Sequence, residues 1–282
     1  MQLPDFVDLE FARRLEMAEM ILPDCVEAIR RHAPHEPTAA ENIAGGIALF
    51  GGVKYPSNQI VGMGLNAAIA DDDMDRVEHF FRSRGVASTV VVSPLADESL
   101  RNLLGERGYR IAEFNSVLIR RISASESCKP PDDIVIERVT PQTVRPWMQA
   151  IARGFSQDVD AAEEIFGGFA ALPGALAFLA RIEDKAVGGC GGRIIPEARI
   201  ASLFGAATLP EYRCRGVQTA LIARRLHEAA QAGCEYAVVS TNPGSGSQRN
   251  MERRGFRLAY TKVVMTREWP ETSAPQENLD GH

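Results

Sequence analysis

Pro210-Glu211-Tyr212-Arg213-Cys214-Arg215-Gly216-Val217-Gln218-Thr219-Ala220-Leu221 is the stretch that decides the fold. Before it runs Ile200 to Thr208, uncharged and rich in apolar residues, which reads as a buried strand. After it, Val217 to about Gln231 reads as a helix, with a core stripe at Ile222, Leu226, Ala229, Ala230 and Gly233 and a glycine stop at Gly233. A strand, a tight basic turn and a helix start together make a cradle for a diphosphate. The first helical turn has backbone N–H groups without intrahelical partners, and its dipole end is positive. Gly216 lets the backbone come close to a bulky anion. Arg213 and Arg215 add charge-assisted donors.

Downstream, Tyr236 to Thr241 reads as another strand. Asn242-Pro243-Gly244-Ser245-Gly246-Ser247 then leads through Arg249-Asn250-Met251 and Gly255-Phe256 to a last strand. The basic turn resembles motif A of the GNAT acyl-CoA N-acyltransferase superfamily, R/Q-x-x-G-x-G/A. Arg213 and Gly216 match it, and Gln218 stands where the pattern has Gly or Ala. The downstream run looks like that family's motif B. The resemblance covers residues 134–268 well and the first 122 only faintly.

The resemblance implies an α/β fold built on a mixed (α+β) sheet, in two GNAT-like domains that each have a central mixed sheet flanked by helices. It implies acetyl-CoA as donor and transfer of an acetyl or short acyl group to an amine of a small molecule or exposed peptide, by direct attack in a ternary complex. Val217, Gln218, Thr219 and Ala220 would hold the diphosphate with Arg213, Arg215 and Gly216. Backbone groups of Ala207, Thr208 and Leu209 would pair with the pantetheine arm, and the thioester would lie near Phe204–Ala206. Asn242 is either a contact to that arm or an ordinary turn residue. Ser247 either touches the cofactor or caps the short helix.

The family often uses a glutamate on the strand before the cradle, but Ala201 to Thr208 has no carboxylate. It often uses a tyrosine four residues before the motif B glycine, and Met251 stands there. Tyr260 on the last strand is the substitute acid, or else a half-buried strand aromatic. Ser202 faces either the cleft or the core. Glu163 and Glu164 face an acceptor cleft or belong to a helix start at Asp160. The missing groups leave a second reading, a CoA-holding sensor or interaction module with little turnover.

The 282 residues suit one large domain or two ordinary ones, and 45% are hydrophobic, enough for packed cores. A net charge of −6 offers no general field for nucleic acid. No apolar run reaches the ~18 residues of a membrane span. The five cysteines are scattered, none in C-x-x-C spacing, so no metal site is expected and reduced thiols in a cytoplasm are favoured. A homodimer is left open.

Residues 123–133 have a linker composition with two prolines, and 269–282 read as a disordered tail. The two sides of the linker echo each other. Val91-Val92-Ser93 returns as Val238-Val239-Ser240, Arg101-Asn102 as Arg249-Asn250, and Arg107-Gly108-Tyr109-Arg110 as Arg254-Gly255-Phe256-Arg257. The offset is 147, slipping to 148 in the middle pair. This reads as a duplicated fold, residues 1–122 and 134–268. In the first half Leu65, Ala67 and Ala68 replace the cradle's arginines and glycine, and Asp71, Asp72 and Asp73 follow. Carboxylates there cap a helix and repel a diphosphate, so that half is expected to bind no CoA.

Overall fold

A computed structural model describes residues 7–19, 26, 30–31, 38–53, 55, 57–155, 169–170 and 172–269. The helix expected from Asp160, with Glu163 and Glu164, and the tail beyond Trp269 lie outside the described residues.

One order of elements, three strands, a helix, a strand, a helix and a strand, occurs twice, the second time after an added strand and helix. After α1 (Leu9–Glu19), the first half runs β1 (Ala39–Ile43), β2 (Gly46–Phe50), β3 (Gln59–Val61), α2 (Asp71–Arg82), β4 (Ser88–Val92), α3 (Glu98–Glu106) and β5 (Arg110–Arg121). The second runs β6 (Val135–Arg138), α4 (Val144–Gly154), β7 (Phe178–Ile182), β8 (Lys185–Ile195), β9 (Ile200–Thr208), α5 (Val217–Gln231), β10 (Tyr236–Thr241), α6 (Gly246–Glu252) and β11 (Arg257–Arg267). In each half a parallel pair brackets a crossover helix, β3–α2–β4 and β9–α5–β10, and the other pairings are antiparallel.

The two expected mixed sheets are joined into a single eleven-stranded one, ordered β1-β2-β3-β4-β11-β5-β10-β9-β8-β7-β6. The halves exchange their last strands: β11 pairs with β4, and β5 pairs with β10. The central β5–β11 ladder is symmetric. Arg257 pairs with Ile119 and Thr266 with Arg110, and Leu258 pairs with Leu118 and Met265 with Ile111. Shifting any residue by 147 maps each of these pairs onto the other. Asn115 and Lys262 pair with each other at the centre, so a local twofold passes between them. The two register shifts leave out Ala112 and Ala259, which are equivalent under the same shift. In the flanking strands Ser116 pairs with Thr241 and Val263 with Val92, which equates Val92 with Thr241. That is two residues off the sequence echo, and an even slip keeps inward side chains inward.

Apolar residues sort onto two faces. Leu118, Ala201, Leu203, Ala237 and Val239 pack with Leu221, Leu226 of α5 and Met251 of α6. On the same face of the other half, Val90 and Val92 pack with Val77, Phe81 of α2 and Leu100, Leu104 of α3. The opposite face carries α1, whose Phe11 and Leu15 cover Val117, Ile119, Ile200, Tyr236 and Val238. There too α4 puts Trp147 and Met148 against Ala177 and Leu179. Glycines of β8 permit this close layering. A Cβ on Gly189 would stand 2.7 Å from Trp147 Cδ1, and one on Gly188 would stand 3.0 Å from Val217 Cγ1. Among the described residues no helix is long and apolar enough to cross a membrane.

Candidate active site

The parallel strands β9 and β10 pair only over Ile200–Ser202 and Tyr236–Val238. Beyond that, β9 continues along β8 to Thr208 and β10 along β5 to Thr241, so a gap opens between them. A bulge in β9 lies at its mouth: Gly191 faces Phe204, Gly189 faces Ala207, and Gly205 between them has φ +56°. Arg225 of α5, only 2% exposed, holds that bulge from beneath. Its Nη1 donates to the Gly191 carbonyl at 2.8 Å and the Phe204 carbonyl at 3.4 Å, and its Nε to Leu221 at 3.2 Å.

The ladder decides which backbone groups face the gap. Leu209 N–H is spent on the Val187 carbonyl at 2.9 Å. Antiparallel alternation then turns Ala207 toward β8 as well and Thr208 toward the gap. Of the three residues expected to meet the pantetheine arm, Thr208 alone turns its backbone toward the gap. The Thr208 and Thr241 hydroxyls, one on each wall, are buried without a hydrogen-bond partner among the described residues. Unpaired buried hydroxyls are costly, and here both stand where a polar arm would lie.

At the head of α5, Gly216 is the N-cap with φ +90°, a left-handed conformation that favours glycine. A Cβ there would approach Pro131 Cγ of the linker at 3.3 Å. The N–H groups of Val217, Gln218 and Thr219 have no partner among the described residues, whereas Ala220 N–H bonds the Gly216 carbonyl at 2.9 Å. The cradle therefore ends at Thr219, and Ala220 is removed from the donor set. Gln218 points its amide away to Asn250 Nδ2 at 2.7 Å, which explains how a long side chain is accommodated at the small-residue position.

The arginines divide. Arg215 Nη2 is bound to Asp133 Oδ2 at 2.7 Å, both side chains about half exposed. Arg213 Nη2 reaches the Gly154 carbonyl at 3.3 Å and so caps α4. A cation that the sequence reading missed, Arg254, donates to Thr219 Oγ1 at 2.6 Å beside the cradle. Asn242 ends β10 in a turn, its carbonyl accepting Ser245 N–H at 3.2 Å. The cap of α6 is Ser245, bonded by Gln248 N–H at 3.2 Å, so Ser247 sits inside the first turn and does not cap it.

The matching place in the first half is lined by carboxylates, Asp71, Asp72 and Asp73 in the first turn of α2. Asp73 Oδ2 accepts Ala70 N–H at 3.0 Å at the start of α2, and Asp71 pairs with Arg107 at 2.8 Å.

On the α1 face Ser202 is buried, and its hydroxyl makes no hydrogen bond among the described residues. Tyr260 is not an acid beside the gap. It lies on β11, with β5 and β10 between it and β9, and donates to Glu16 Oε1 at 2.7 Å. Burial and that carboxylate push its phenol far above the ordinary range. Lys262 Nζ bonds Glu16 Oε2 at 2.9 Å and also Glu19, and Glu19 Oε1 accepts from Ser240 Oγ at 2.5 Å. Burial raises the Glu16 carboxyl, opposed by Lys262. Burial pulls the Lys262 ammonium down, but the two carboxylates outweigh it and its net shift is upward.

Residues 142–256 match the family model described as acetyltransferase (GNAT) family. This segment is a GNAT-family acetyltransferase domain. No curated protein sequence matches the chain. Among solved structures, a GCN5-related N-acetyltransferase from Kribbella flavida is similar over 93% of this chain and 97% of its own, with TM-score 0.64 and 16% identity. A tandem GNAT protein from the clavulanic acid biosynthesis pathway is similar over 93% and 94%, with TM-score 0.62 and 12% identity. For a GCN5-related N-acetyltransferase from Sphaerobacter thermophilus the shares are 64% and 60%, with TM-score 0.52 and 19% identity, so the likeness spans 60% of that protein's length. At such identities these likenesses show the fold, and two of them extend it across both halves. GNAT domains use acyl-CoA, and the gap, the unpaired N–H groups and the orphaned hydroxyls fit that donor.

Proposed function

We propose that the protein moves an acetyl or short acyl group from acyl-CoA to the amine of a small molecule or an exposed peptide, by direct attack in a ternary complex. The carrying observation is the coincidence of the β9–β10 gap with the unpaired N–H groups of Val217, Gln218 and Thr219 behind Gly216. In this reading those three donors, with Arg215 and Arg254, hold the diphosphate. Arg213 keeps the end of α4 against the cradle. Thr208 and Thr241 contact the pantetheine arm, with Asn242 and Ser247 at its outer end. Acyl-CoA supplies the activated carbonyl. Backbone donors at the Phe204–Ala206 bulge polarise it, and confinement in the gap holds amine and carbonyl at reacting distance.

Residues 1–122 are proposed as a half that binds no CoA, 123–133 as the linker and 134–268 as the transferase half. The strand exchange means that β5 of the first half forms one wall support of the second half's site. Titration calorimetry with CoA, followed by thiol release from acetyl-CoA across a panel of amines, tests this reading. One CoA per chain and thiol release with at least one amine are expected. No binding refutes it, and binding without release for any amine leaves a CoA-holding module in its place.

A further inference from the structure

We propose that Glu19 is the group that takes the proton from the incoming ammonium, an inference that rests on the acyl transfer proposed above. Neither strand bounding the gap carries a carboxylate: β9 is Ile200–Thr208 and β10 is Tyr236–Thr241. A carboxylate reaches β10 from outside, from Glu19 at the end of α1 of the other half. Ser240, which holds Glu19, stands two residues beyond Val238, the last β10 residue paired with β9. The parallel register puts Ser240 level with Phe204, ~7 Å past the last paired rung, where the bulge and the thioester position begin. Its side chain, like that of Ser202, points to the α1 face, opposite the cradle helix. Donor and proton acceptor thus approach the gap from opposite faces of the sheet.

The charge within the cluster is unequal. It holds two carboxylates and one ammonium. Glu16 and Lys262 have side chains 0% and 1% exposed and satisfy each other, with Tyr260 donating to the remaining Glu16 oxygen. Glu19 shares the same ammonium and, at 18% exposed, is the one of the three that solvent reaches. Two carboxylates share one ammonium, and Glu19 alone of the cluster's charged groups is bonded to β10, the strand that bounds the gap; there it attracts an ammonium and accepts its proton. The cluster is one-sided about the local twofold. Lys262 is matched there by Asn115 and Tyr260 by the exposed Glu113, so only the half with the cradle has it.

The step balances. Glu19 carboxylate removes one proton from R–NH3+ and passes it to solvent. The freed lone pair forms the C–N bond, the C–S bond breaks, and the second nitrogen proton goes to the leaving sulfur. Lys262, Tyr260 and Ser240 position Glu19.

The test compares two acceptors with acetyl-CoA: an alkylamine, protonated at neutral pH, and hydroxylamine, which is not. Glu19→Gln keeps the shape and an acceptor for Ser240. It is expected to lower kcat/KM for the alkylamine about a hundredfold or more, with hydroxylamine turnover and CoA affinity changed less than threefold. An equal loss for both acceptors, or none for either, overturns the proposal. If Glu19→Gln does not fold, Ser240→Ala replaces it. Loss of that donor is expected to shift the acid limb of the alkylamine pH profile upward, and an unmoved limb overturns the assignment. Failure of the wild-type protein to use either acceptor strikes at the acyl-transfer reading itself.

Discussion

Arg215 Nη2 lies 2.7 Å from Asp133 Oδ2, so the linker between the halves holds one guanidinium of the cradle. The same linker lays Pro131 over Gly216 and offers the Glu126 carbonyl to His227 Nδ1 at 2.8 Å on α5. An exposed pair of this kind is worth at most about 1 kcal/mol. Asp133→Asn is therefore expected to tighten CoA binding by up to about fivefold, by releasing Arg215 to the diphosphate. Calorimetry at low and high salt checks it, with the gain shrinking as salt rises.

Among the described residues Lys262 is the sole cation bonded to Glu16 and Glu19. Lys262→Met strands a buried carboxylate pair and is expected to cost about 3–5 kcal/mol at neutral pH. The sign of the pH response follows from Glu16. Its carboxyl is raised on folding, so its contribution is present below the ordinary carboxylate range and lost as pH climbs through the raised value. Removing Lys262 takes away the charge that lowers it. The melting temperature of the variant should recover toward wild type as pH falls from 7 to 5, and a parallel loss at all pH values would contradict the assignment.

Arg225 has no carboxylate partner among the described residues and bonds three carbonyls instead. Arg225→Leu leaves the Gly191 and Phe204 carbonyls without that donor, at a cost of about 2–4 kcal/mol. Urea unfolding reads the loss. Arg225→Lys, with one point donor in place of a fork, should recover only part of it.

Much of this molecule was legible in the sequence because local rules decide it. The uncharged run Ile200–Thr208 and the stretch Tyr236–Thr241 form strands over the limits the pattern gave. The basic turn opens a helix at Val217 because only Gly216 takes the left-handed cap at no steric cost. The offset of 147 reappears as the symmetric ladder around Asn115 and Lys262. The exchange of β5 and β11 was not legible, since either strand satisfies the same alternation beside either neighbour. Nor were Glu16 and Glu19. They sit on an amphipathic helix where three-residue spacing looks like solvated charge, and only the tertiary fold brings Lys262 against them. Arg225 was hidden for a similar reason: it interrupts the core stripe of α5 and is buried by the bulge it stitches.

The most direct test of the cradle is titration of CoA into the wild-type protein and into the double variant Arg215→Ala, Gly216→Asp. The substitution removes a charged donor, puts a β-carbon where φ is +90°, and aims a carboxylate at the diphosphate. One CoA per chain for the wild type, and affinity weakened by several kcal/mol in a variant that still folds, is the predicted result. Equal affinity in the two proteins, or two CoA per chain in the first, would contradict the account.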